Sequence, residues 1–199
     1  MSTTTPTTTS RLLWAGVAAG PLFLVVTLAQ VSTRDGFDLS RHPASLLSLG
    51  DLGFVQIANF VVTGVLYVVA AFAIREATAL AVSIAAVGVG MIVAGVFTAD
   101  PSLGFPPGAP DGVPDNLSTH AALHGVGFAV AFVAILAANL LFARTTGERK
   151  HVVMGIAAVV IAGTAIGTGV GYLFVLAAAV GLGSLSVLLF DLGTYRAVR

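Results

Sequence analysis

The chain has 199 residues, of which 57% are hydrophobic and 9% charged, and its mean hydropathy is +1.00. An ordinary soluble domain carries about 25% charged residues, so this composition excludes one and points to an integral membrane protein. A net charge of zero gives no basis for nucleic-acid binding, and the absence of cysteine removes disulfides, thiolate nucleophiles and cysteine-based metal sites.

Residues 1–10, MSTTTPTTTS, are too polar and monotonous to bury anything and read as a disordered tail. The remainder, 11–199, reads as one transmembrane domain. A helix needs about 20 mostly apolar residues to cross the hydrocarbon core. The stretches 12–31, 52–74, 77–97 and 119–143 meet that directly. The first is longer than the roughly 7 to 15 apolar residues of a signal peptide, so it is kept as a span. From Val152 to Phe190 no residue is charged, which is too long for one crossing even with tilt. That run predicts two helices, 152–169 and 171–190, reversing at the glycine cluster "GTGVG". The fold class expected is therefore an all-α integral membrane bundle of six transmembrane helices.

Basic residues set the orientation. With the N-terminus inside, Arg11, Arg75, Arg144, Arg149, Lys150, Arg196 and Arg199 fall in the cytoplasm, and only Arg34 and Arg41 fall outside. Both termini are then cytoplasmic in a multi-pass protein of the cell membrane, and the loops 32–51 and 98–118 are extracytoplasmic. Its first partner is the lipid bilayer. Small residues recur at four-residue spacing, as in Gly16 with Gly20 and in Gly163, Gly167 and Gly171, and are expected to pack helices within the bundle.

This topology sends most metal-binding and proton-moving groups to the outer face. In "LSTHAALHGVG", His120 and His124 lie one turn apart on one helix face, so both can reach one ligand, and Ser118 or Thr119 can cap the helix. Two such histidines can bind a divalent metal such as zinc, with Asp100 and His42 as further ligands, or can simply hydrogen-bond loop carbonyls. Asp100 follows the third span at its C-terminal end, where the helix dipole disfavours an anion. A histidine, a metal or Arg41 would compensate, unless the carboxylate is merely solvated beside the helix-ending Pro101. The loop "GFPPGAPDGVP" cannot be helical and either lies across the outer mouth as a lid or only connects two spans. Within the second span Gln56, Asn59 and Thr63 share one face, which must turn to the bundle interior or to a cavity.

Three segments taken together, "HPASLLSLGDLGFVQIANFVVTG", "GVFTADPSLGFPPGAPDG" and "LSTHAALHG", resemble in content and order the domain-of-unknown-function family 998, multi-span membrane proteins of bacteria and archaea. The resemblance runs from about residue 12 to the C-terminus. It implies the six-helix fold and no assigned activity. The matching positions are Ser45, Gly50, Asn59, Phe60, Gly64, Asp100, Pro101 and His124, with His120 beside them. Many relatives carry a glutamate where Leu46 stands here, so no carboxylate role carries over at that point.

Three functions fit these residues. Ser45, Asn59, Asp100, His120 and His124 would line an outer polar pocket for a lipid-like or lipophilic small molecule. Alternatively, His42, His120, His124 and Asp100 would hold a divalent ion in a membrane hydrolase, with Ser45, Asp100 and His124 as catalytic candidates. In the third, a structural or partner-binding module, the same cluster only fastens the loops.

Overall fold

The computed structural model describes residues 8–198, with side chains from 11 to 195. Residues 1–7, where most of the predicted tail falls, lie outside the described residues, as do the side chains of Arg196 and Arg199. The helices are α1 (Thr8–Thr33), α2 (Gly53–Ala73), α3 (Thr78–Val96), α4 (Thr119–Thr146), α5 (Arg149–Thr168) and α6 (Gly171–Val198). Each contains a segment long and apolar enough to cross a membrane. Hydrocarbon offers backbone amides no water, so an apolar stretch must pair its own N–H and C=O groups, and the helix does this. Among the described residues there is no strand.

Glycines end two of the helices. Gly147 and Gly169 take left-handed φ values of 79° and 69° and return their amides to Ala143 and Ala165, closing α4 and α5. The second of these closures falls within the predicted glycine turn. Helix α4 runs on to Thr146, past the expected end at 143, because a basic residue such as Arg144 marks the membrane edge without stopping a helix.

The helices pack in chain order, each on the one before it, and α6 returns to α1 to close a ring. Close approach depends on a few glycines. A Cβ on Gly64 (α2) would sit 2.5 Å from the carbonyl oxygen of Gly88 (α3), and one on Gly88 would sit equally close to that of Gly64. Gly90 and Gly127 repeat the arrangement between α3 and α4, at 2.6 and 2.7 Å. Gly88 and Gly90 are two residues apart and so point to nearly opposite sides of α3, which lets its backbone touch both neighbours. Gly16 and Gly20 also pack inside, against Ala70 and the Leu182 carbonyl. Of the three glycines expected to pack near the second reversal, Gly163 and Gly167 are exposed and face open space, because α5 packs on α4 and α6 with its other face, whereas Gly171, at the start of α6, approaches the carbonyls of Leu39 and His42 closely.

Polar keys fix the helices at three heights. Gln56 Oε1 accepts from Gln30 Nε2 at 2.6 Å and from Asn59 Nδ2 at 3.2 Å, and Gln56 Nε2 donates to Thr27 Oγ1 at 3.2 Å, which ties α1 to α2. Tyr67, fully buried, donates to the Leu182 carbonyl of α6. Asn139 of α4 donates to Ser184 of α6 at 2.9 Å. The predicted polar stripe of α2 is thus a helix-to-helix contact, although Thr63 Oγ1 and Gln30 Oε1 stay buried without a hydrogen-bond partner.

Candidate functional site

At one end of the bundle the two long loops are clasped together. Asp38 makes a tight turn, accepting at Oδ1 from the amide and hydroxyl of Ser40, 2.8 and 2.7 Å away, and those bonds lower its pKa from the ordinary value. The turn aims His42 across to the second loop. The Asp38 amide donates to His42 Nδ1 at 2.8 Å, and His42 Nε2 donates to the Leu103 carbonyl at 2.9 Å. Phe105, only 1% exposed, fills the space between Phe37 and His42, with ring centroids 5.2 and 5.5 Å away. The Arg34 guanidinium sits 5.5 Å from the same ring and donates to the carbonyls of Leu47 and Leu49. The proline-rich loop is therefore a cap plugged by Phe105.

Asp100 and the histidines of α4 meet at the junction of α3 and α4. The Ser118 amide donates to Asp100 Oδ2 at 2.8 Å, while Ser118 Oγ caps α4 by accepting from the Ala121 amide at 3.1 Å. The carboxylate that looked misplaced after α3 thus lies against the positive end of α4. Hydrogen bonds from Ser118, first its hydroxyl and then its amide, hold the Asp100 carboxyl below its ordinary value against a small opposing effect of desolvation, and His120 adds to the lowering. A depressed carboxyl stabilises the fold above its unfolded pKa of about 4, and that contribution is lost as pH falls through the folded value. Asp100→Asn should therefore flatten the acid limb of melting temperature against pH, modestly, since the group is open to solvent. Identical limbs for variant and wild type would sever the link between Asp100 and α4.

His124 is buried one turn deeper. Its Nδ1–H donates to the carbonyls of Ala94, in the last turn of α3, and of Phe97, the C-cap residue that follows, at 2.7 and 3.0 Å, at a helix end where carbonyls lack helical partners. The ring stands edge-on to Phe60, and among the described residues Nε2 makes no hydrogen bond. His120 is exposed, its ring 5.3 Å from Phe97.

The residues singled out in the sequence fall in separate places. Asp100, His120 and His124 share the α3–α4 junction, His42 belongs to the cap, Asn59 belongs to the α1–α2 network, and Ser45 lies in the short 3-10 turn Ala44–Ser48 without a hydrogen bond to any of them. Among the described residues, no three His, Asp or Glu side chains are grouped to hold a metal ion. Both nitrogens of His42 are already engaged.

The opposite end holds a cluster that sequence reasoning passed over. Asp191 Oδ2 pairs with Lys150 Nζ at 2.7 Å and accepts from His151 Nε2 at 3.2 Å. His151 is wholly buried, edge-on to Phe142, and its Nδ1 has no partner. Asp191, Lys150 and Phe142 border a cavity of about 350 Å³, behind which His151 lies. The available signal was Asp191 itself, the first charge after the uncharged run from Val152, opposite a Lys-His pair at the start of α5.

A ring of six apolar helices with polar loops gathered at one end defines a helical multi-pass membrane protein. The model of one family, described as protein of unknown function (DUF998), matches residues 17–194, and the chain belongs to that family. No curated protein and no solved structure matches it.

Proposed function

We propose that the chain is a structural or partner-binding module of the cell membrane, with cytoplasmic termini, whose Asp100, His124 and His42 fasten an extracytoplasmic cap. One observation carries this reading: each of these side chains commits a polar atom to backbone of another segment, Asp100 Oδ2 to Ser118, His124 Nδ1 to Ala94 and Phe97, and His42 Nε2 to Leu103. Atoms committed in this way are withheld from metal binding and proton transfer. His124→Ala strips two carbonyls of their donor, at a cost of about 1–3 kcal/mol for a buried group left unpaired, and should lower the melting temperature of the detergent-purified protein. An unchanged melting temperature would count against a fastening role.

A second reading is binding of a lipid-like or lipophilic small molecule at this end. It is favoured by the exposure of His120 beside Asp100 and by the unbonded Nε2 of His124. Amphiphiles in a leaflet reach helix ends readily. Loss of a co-purifying lipid from His120→Ala with stability intact would favour it over fastening. Near-stoichiometric zinc in the wild type, lost from the His120→Ala/His124→Ala variant, would instead restore the hydrolase.

A further inference from the structure

We propose that the cavity bordered by Asp191, Lys150 and Glu148, at the end of the bundle opposite the cap, binds a compound carrying both an ammonium and a phosphate, such as an aminophospholipid headgroup or a free aminophosphate. Its volume of about 350 Å³ falls within the usual range of small-ligand sites. Among the described residues of the wall, two carboxylates, Asp191 and Glu148, stand with one ammonium, Lys150, a negative surplus. Asp191 Oδ2 serves both Lys150 and His151, whereas Oδ1 makes no hydrogen bond among the described residues. The Glu148 side chain does not cap the helix that it precedes. Unfilled acceptors of negative charge call for a cation with N–H donors.

The same wall can take an anion on its other side. Lys150 has donors to spare beyond Asp191, and the first-turn amides of α5 receive no side-chain cap from Glu148. An ammonium and a phosphate two carbons apart would span these groups. A partly exposed ion pair such as Lys150 with Asp191 adds little to stability. Yet a wholly buried histidine, one nitrogen left unpartnered, is spent on holding that carboxylate in place. Orienting a ligand-binding carboxylate accounts for this expense. The cavity also lies at the ends of α4, α5 and α6, the depth at which headgroups sit when helices span a bilayer.

The test is native mass spectrometry of the full chain released from micelles doped with phosphatidylethanolamine, phosphatidylcholine or phosphatidylglycerol. Phosphatidylcholine keeps the phosphate and positive charge but has no N–H, and phosphatidylglycerol has no ammonium. Phosphatidylethanolamine should be retained about tenfold more tightly than either, and Glu148→Gln or Asp191→Asn should each remove most of that preference, while Asp115→Asn, at an exposed position of the loop at the other end, leaves it unchanged. Glu148 is exposed, so its variant tests the site even if Asp191→Asn unsettles buried His151. Heat protection by soluble O-phosphoethanolamine as strong as that by the lipid would identify a free aminophosphate as the ligand, and protection by the lipid alone would identify the headgroup. Equal retention of the three lipids, a preference for phosphatidylglycerol, or selectivity that survives Glu148→Gln would overturn the proposal.

Discussion

Gly90→Val protein should accumulate poorly and melt far below the wild type in detergent. A Cβ there would lie 2.6 Å from the Gly127 carbonyl oxygen and 2.8 Å from the Ala131 amide, and both obstacles are backbone. A side chain in the way can turn aside, whereas backbone yields only if α3 and α4 move apart. In a bilayer that separation forfeits the van der Waals contact that holds helices together, since lipid tails already satisfy apolar surface. The cost should reach or exceed the ~1–3 kcal/mol usual for overpacking. Gly163→Val makes the same chemical change on a membrane helix but meets nothing within 4 Å, so it should shift stability by no more than ~0.5 kcal/mol. Similar melting curves for the two variants would refute the α3–α4 contact.

Phe105→Ala should unfasten the cap while leaving the helices embedded. The ring is almost completely buried among Arg34, Phe37 and His42, and truncating a buried phenylalanine costs ~3–5 kcal/mol. Here the hydrophobic effect acts in full, because water and not lipid would fill the space. The amides of Leu103 and Gly104, bonded to the carbonyls of Gly112 and Pro110, should exchange hydrogen much faster, and the loop should become a protease target. Unchanged exchange at these amides would mean that other contacts hold the loop.

The spans were legible because a bilayer imposes a length and forbids charge, and both constraints are written directly in composition. The paired helices of residues 152–190 followed from the same arithmetic. Partner choice was not legible, for a physical reason. His42 and Leu103 are 61 positions apart, and the accepting atom is a backbone oxygen that every residue possesses, so no side chain announces the contact. His124 likewise meets carbonyls. Asp100 looked out of place after α3 because the compensating charge was sought among side chains, whereas the start of α4 provides it. Glycine spacing proved ambiguous: Gly16 and Gly163 sit in similar four-residue patterns, yet only the first touches a neighbour, since spacing defines a face but not its surroundings.

Because the helices close their ring in chain order, every new helix leaving the ribosome finds its first partner already in the membrane, with one exception. Helix α1 pairs with α2 at once but keeps its second flank bare until the 28 residues of α6 arrive. Until α6 arrives, that flank has no helix of this bundle to cover it. A chain stopped before α6 thus shows, on α1, that its ring is open.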